Sequence, residues 1–259
     1  MRFFRSQTPM TLKVHRFDAF QLVVGEPLAV RVCGEVFPFP IEPPSLRDVI
    51  AQARREPQAR IATGRRGENL LACLQDYREA FCQLPLDAAL RAPVHLTLFD
   101  LGALAQPGGA LHRILEEVYH PLLRLWADHG LRWRRAWPIL FLSGPGCSTN
   151  YHWDPDDVFF IMLSGHKTFY ALNEPHRWLT REMLVTYLED PGDLTNRVRP
   201  HGLGAEDIRS FSMAPGDALW NPRHAPHWVD AGDDTAFSLS IAFTDAAFAP
   251  SSERIMKIG

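Results

Sequence analysis

Cysteine is scarce in this chain of 259 residues: four in all, Cys33, Cys73, Cys82 and Cys147, with no CxxC pair and no repeated short spacing. That argues against a zinc knuckle or a disulfide framework and fits a reducing compartment, with the thiols read as small buried side chains. Long apolar runs are missing too. No stretch approaches the roughly 18 residues needed to cross a bilayer. The first residues, MRFFRSQTPMTLKVHRF, hold basic side chains but no apolar segment of the kind a secretory leader requires. A cytoplasmic location is therefore expected. Nor is there an excess of one charge: 27 Lys and Arg stand against 30 Asp and Glu, a formal net charge of −3. Such a balance gives no general pull toward nucleic acid or acidic membrane. Two basic clusters, RWRRAWP at 132–138 and GRRG at 64–67, read as solvated faces, so no nucleic-acid partner is expected. Repeats and low-complexity tracts are absent.

What is present is a large apolar fraction, 46%, enough for a sizeable core. Residues 1–44 hold short apolar alternations such as FQLVV and LAVRVCGEVF, ending in the breaker PFPIEPP. Ser45 and Asp48 then have the spacing of a capping box before SLRDVIAQARRE, which predicts a helix. Amphipathic spacing predicts a second helix over 68–82 and a third over 110–129, where Pro121 should kink or divide it. After Pro138 the texture changes to short β-branched or aromatic runs separated by Gly, Pro and Asp. One helix, about 180–189 with Thr180 as its N-cap, interrupts them. The expected fold is mainly β with helices, a jelly roll. Three segments are expected: 1–137, a helix-and-strand region packing on the barrel; 138–245, the barrel; and 246–259, a short tail.

The chemistry concentrates in TNYHWDPDDVFFIMLSGHKTFYAL, residues 149–172. Side chains two apart on a strand share a face, so His152 and Asp154 can converge inside a barrel. An ionised carboxylate there needs a partner, and a divalent metal is the least costly one. A third ligand is sought in PGDALWNPRHAPHWV, where His227 is the first candidate and His224 its competitor. Two imidazoles and one carboxylate suit non-haem iron(II), with positions left open for substrate and dioxygen. Zinc fits less well. Lys167 follows a Ser164-Gly165-His166 turn at the start of the next strand. An ammonium aimed into an apolar barrel must find an anion or lower its pKa. A dicarboxylate chelating the metal at one end would bring its far carboxylate to Lys167, and Thr149 can add a hydroxyl donor. The plainer readings are a solvent-facing lysine with a snorkelling stem and a strand-entry threonine. Ser238 and Ser240 alternate on the last strand and can face the same cavity, although ordinary strand polarity also accounts for them. Trp153, Phe160, Tyr170 and Trp220 are read as core aromatics that could also line a mouth.

The stretch HWDPDDVFFIMLSGHKTFYAL resembles the core of the JmjC and cupin-like 2-oxoglutarate oxygenases, in particular the asparaginyl-hydroxylase type that acts on hypoxia-inducible factor. Thr149, His152, Asp154 and Lys167 match that family's order and spacing, and Pro222 with His227 match its distal-ligand segment. The resemblance covers about residues 138–245. It implies a double-stranded β-helix and iron(II) on His152, Asp154 and His227. It also implies 2-oxoglutarate held by Lys167 and Thr149, and dioxygen as the oxidant; Ser240 joins the expected cosubstrate contacts from its place on the last strand alone. The implied reaction is hydroxylation of an unactivated C–H bond, with succinate and carbon dioxide as co-products. One departure stands out: the asparaginyl-hydroxylase type has Asn six residues after the first His, where this chain has Val158. The family's helical dimerisation extension has no counterpart in AAFAPSSERIMKIG, so the oligomeric state, a homodimer included, stays open. Substrates within this chemistry are a peptide or protein side chain or a small metabolite, and an N-methyl carbon would make the reaction a demethylation. The rival readings are a metal-bound cupin isomerase or lyase and a non-catalytic binding module.

Overall fold

The computed structural model describes residues 11–14, 28–34, 37, 41–64, 77–189 and 200–248. The chain opens with β1 (Thr11–Val14), β2 (Val30–Gly34), α1 (Leu46–Ala53), β3 (Arg60–Thr63), α2 (Arg78–Gln83), α3 (Leu86–Ala89) and β4 (Val94–Leu98). Then come α4 (His112–Ile114), α5 (His120–Asp128), β5 (Leu131–Arg132), β6 (Arg135–Ser143), β7 (Asp157–Ser164) and β8 (Lys167–Leu172). The rest is α6 (Pro175–Trp178), α7 (Arg181–Glu189), β9 (Ile208–Met213), β10 (Ala218–Asn221), β11 (His227–Ala231), β12 (Ala236–Thr244) and β13 (Ala247–Phe248).

Local chemistry accounts for the helix ends. Ser45 Oγ accepts the Asp48 N–H at 3.4 Å to start α1, and Thr180 Oγ1 accepts the Met183 N–H at 3.3 Å to start α7. The predicted kink at Pro121 takes the form of a π-type turn, Leu115–Tyr119, which joins α4 to α5. Proline has no N–H, and its ring crowds the carbonyl four residues back, so the helical ladder widens in the turn before it. Of the helix predicted over 68–82, residues 78–82 lie in α2, Tyr77 precedes it, and 68–76 fall outside the described residues.

The strands form a jelly roll. One sheet runs β1-β2-β10-β7-β12-β6-β4-β3, and β11-β8-β9 makes a smaller sheet. The two sheets share an apolar interior of Phe160, Met162, Phe169, Phe211, Met213 and Leu219. Isolated bridges Ser148–Asp230 and His152–His227 lay the segment before β7 along the free edge of β11. The other face of the large sheet is covered by the helices: Val49, Ile50, Leu122 and Trp126 join Phe159, Ile161, Leu239 and Ile241 in one cluster. Trp126 meets Phe159 edge-on at 5.0 Å and Phe243 at 5.4 Å. Covered on both sides, β7 carries no alternation, and its unbroken VFFIML follows from that.

The expected division at 137/138 falls inside β6. Strands from the first segment join the barrel sheet directly, β4 to β6 and β2 to β10. Of the tail, β13 pairs with β5, and residues 249–259 lie outside the described part. Among the described residues no helix is long and apolar enough to cross a membrane.

Gly165 makes the turn that delivers Lys167. Its φ is +72°, and a Cβ there would lie 2.6 Å from the Thr235 carbonyl oxygen and 2.8 Å from the Ala236 Cα. Both obstacles are backbone. Gly165→Ala is therefore expected to lower unfolding stability by about 1–3 kcal/mol in a urea melt; a change below about 0.5 kcal/mol would mean that the turn yields freely.

Candidate metal centre

His152 and Asp154 sit in the link between β6 and β7, and period-two spacing sends their neighbours Tyr151 and Trp153 to the opposite side. There those two pack with Leu172, Leu179 and Trp228 against the outer face of the small sheet. Tyr170 belongs to that same outer cluster, stacked on Trp228 at 4.9 Å. Phe160 and Trp220 lie in the barrel interior and the helix-side core respectively, so all four aromatics weighed for a mouth pack into apolar clusters.

One ligand atom each from His152, Asp154 and His227 lie within 4.8 Å of one another. His227 Nε2 is 3.7 Å from Asp154 Oδ2, and the two imidazole centroids are 4.2 Å apart. Main-chain bonds hold the pieces in place. The His152 N–H donates to the His227 carbonyl at 3.0 Å, the His227 N–H donates back at 2.8 Å, and the His224 N–H donates to the Asp154 carbonyl at 2.8 Å. Asp157 Oδ1 accepts the Arg223 N–H at 3.0 Å, adding a further clamp. His224 thus contributes backbone at φ 61° and not a ligand atom, and the competition for third place falls to His227.

Both imidazoles are turned by carbonyls. Nδ1 of His152 lies 2.7 Å from the Asn150 oxygen, and Nδ1 of His227 lies 2.9 Å from the Ala225 oxygen. A carbonyl only accepts, so each Nδ1 carries the proton and each Nε2 turns its lone pair toward the cluster. Burial lowers His227 to about 4, which keeps it neutral and ready to ligate at pH 7. Two imidazoles and one carboxylate with open positions fit a ferrous ion. A structural zinc would call for a fourth protein ligand, and no other described His, Cys, Asp or Glu joins the three.

Lys167 points inward from β8 and is 4% exposed. Its Nζ donates to Ser238 Oγ at 2.9 Å and lies 5.7 Å and 5.9 Å from the Phe160 and Phe141 ring centres. Burial pulls the ammonium down to about 7 from the usual lysine range. In the β11–β8 register, Ala171 is opposite His227 and Lys167 is opposite Ala231. Four residues of strand span about 13 Å between those positions. Between them Phe169 stacks flat on His227, with 4.9 Å between ring centres. Thr149 Oγ1 accepts the Val229 N–H at 2.8 Å, which leaves its own proton to donate. Of the two serines on β12, Ser238 is the one that touches Lys167; Ser240 is buried two residues further along the same face.

His95 was not anticipated. It stands on β4 opposite Ser143, whose Oγ is 3.0 Å from His95 Nδ1, and its Nε2 is buried. Burial, helped by the nearby charge of Lys167, lowers it to about 4. A signal for it existed in APVHLTLFD, where His95 and Thr97 alternate with Val94, Leu96 and Leu98. That pattern marks a strand with a polar inner face.

Residues 139–250 match the family model described as JmjC domain. No curated protein sequence matches the chain. Among solved structures, the X-ray structure of Escherichia coli YcfD superposes with a TM-score of 0.57 at 16% identity, over 94% of this chain and 55% of that one. A structure of YcfD described as a ribosomal oxygenase gives 0.54 at 18% identity, over 96% and 54%. Its complex with cobalt and 2-oxoglutarate gives 0.52 at 16% identity, over 92% and 53%. This chain spans about half the length of those proteins. At such identities the shared property is the fold, a JmjC-type jelly roll.

Two outcomes are expected of the purified chain. Manganese(II) at about 100 times its dissociation constant should stabilise it by about 2.7 kcal/mol, read as a rise in melting temperature, and Asp154→Ala should remove that rise. Lys167 titrates near 7 when folded and near its ordinary value when unfolded. Below pH 7 both states hold the proton and the full cost of burial is present. As pH climbs toward 10 the unfolded chain holds more protons, and the cost fades. Lys167→Met should therefore stabilise the ligand-free chain most at or below pH 7, with the gain shrinking toward pH 10 in denaturant melts.

Proposed function

We propose that this chain is an iron(II)- and 2-oxoglutarate-dependent oxygenase that hydroxylates an unactivated C–H bond. The observation that carries the reading is a metal-competent triad open to one side, with a buried ammonium that has no carboxylate partner among the described residues on the other. His152 and Asp154 are half-buried, whereas His227 and Lys167 are buried, so the substrate meets the triad from the His152 side and the cosubstrate lies deeper. The separation along the β11–β8 ladder suits a lysine stem and a five-carbon dicarboxylate reaching toward each other from its two ends.

In this reading His152, Asp154 and His227 hold the ion through Nε2, a carboxylate oxygen and Nε2. Bound there, iron(II) supplies dioxygen activation coupled to decarboxylation of 2-oxoglutarate, giving succinate, carbon dioxide and a hydroxylated substrate. Lys167 binds the remote carboxylate as an ammonium, Ser238 orients that ammonium, and Thr149 directs its free proton to the same oxygens. Phe160, Phe169 and Met162 keep water from the cavity. A fold relative described as a ribosomal oxygenase favours a peptide or protein side chain over a small metabolite as substrate. The narrower asparaginyl-hydroxylase assignment gains no such support, since Val158 replaces the amide of that type.

Turnover assays follow succinate. His152→Ala and Asp154→Ala should abolish its formation, both coupled and uncoupled. Lys167→Ala should raise the 2-oxoglutarate requirement about 10–100-fold, the loss of a charge-assisted contact, while kcat changes less. Wild-type turnover in Asp154→Ala would remove the mechanism. A cupin isomerase, lyase or binding module would show no added thermal stabilisation when 2-oxoglutarate joins the metal. Because the dianion needs Lys167 charged, affinity for 2-oxoglutarate should fall as pH rises from about 7 to 9, with proton uptake seen by calorimetry in buffers of different ionisation heat.

A further inference from the structure

Asn221 ends β10 on the inner face of the large sheet and is 1% exposed. Its carboxamide nitrogen lies 3.3 Å from His227 Nδ1, while Oδ1 has no hydrogen-bond partner among the described residues. Apolar side chains share that face: Leu219 two residues before it and Val158 opposite it across the ladder to β7. A buried polar end without a partner costs stability, and a leucine here would carry no such cost. The polar group this amide reaches is the back edge of an imidazole in the triad.

Donor and acceptor accounting says which end of the amide belongs there. His227 Nδ1 is bonded to the Ala225 carbonyl at 2.9 Å, so it bears a proton and has no lone pair to offer an N–H. Oxygen and nitrogen of a carboxamide exchange places by a half turn, and their assignment follows the hydrogen-bond network. The oxygen is the end that bonds to Nδ1–H. We propose that Asn221 is a positioning residue for the metal centre: its amide oxygen shares the His227 Nδ1 proton with the Ala225 carbonyl. That sharing fixes both the tautomer and the ring plane that aim Nε2 at the metal. Phe169, stacked on the ring at an interplanar angle of 9°, blocks tilting about the remaining direction. Partners of this kind raise ligand basicity and hold the ring still. The inference rests on the metal reading above.

The test is manganese(II) binding to the whole chain without cosubstrate, by calorimetry and by the metal-induced rise in melting temperature. Asn221→Leu keeps the bulk and removes the acceptor. It is expected to melt, metal-free, at or above the wild-type temperature, yet to bind manganese about 10–100-fold more weakly. Asn221→Asp keeps an oxygen toward Nδ1–H and should bind manganese at least as tightly as wild type. An Asn221→Leu chain as tight as wild type overturns the role of Asn221 alone. Equal weakening in both variants, with a lower metal-free melting temperature, also overturns it, because the amide would then be structural. A wild-type chain that binds no manganese overturns the metal centre itself, and this inference with it.

Discussion

His152 and His227 exchange two main-chain hydrogen bonds, each donating its N–H to the other's carbonyl. These residues are 75 positions apart in the chain, and on this reciprocal pair the candidate site depends. It sets the two residues directly opposite each other across an antiparallel bridge, with their imidazoles on one side and the ring centres 4.2 Å apart. Period-two spacing adds Asp154 from one strand. The corner at 222–226 is tied down by the His224 and Arg223 N–H groups, so the third ligand has little freedom to drift. A metal ion arriving there would find its ligands already gathered.

The rest of the architecture makes that gathering stable without filling the site. Helices cover the outer face of the large sheet, and α6 and α7 with their aromatic neighbours cover the outer face of the small one. The barrel interior is then free to hold groups that a core ordinarily rejects: Lys167, Ser238, Ser240, His95 and Asn221. Each costs stability in isolation. Together they form a gradient, from a ligand cluster open to one side to a buried cation further in, and the proposed oxygenase chemistry uses both ends of it.

Much of this was legible in one stretch of sequence. The His152-to-Lys167 run carried the ligand pair, the turn and the buried lysine because all of them lie in one short stretch, the extended link before β7, the β7–β8 turn and the start of β8, where spacing converts directly into facing. The helix starts at Ser45 and Thr180 were readable for the same reason, since a cap is a contact between residues three apart. Harder to read was β7, whose unbroken apolar run has no period and declares only that both its faces are covered. The helix around Pro121 was readable as disturbed, but whether it would break or widen depended on packing.

What the sequence by itself determined is therefore local: the pair at 152 and 154, the inward lysine, the caps, and a β-rich second half. Tertiary structure decided which histidine completes the triad, since His224 and His227 differ in sequence by three positions but in space by which side of a strand corner they occupy. It also decided that Ser238 and not Ser240 meets Lys167, that β4 brings His95 into the cavity, and that strands β1 to β4 from before residue 138 share the barrel's own sheet. These outcomes depend on pairings between strands distant in the chain. Such pairings are set by register and by which face each strand buries, and no local period records either.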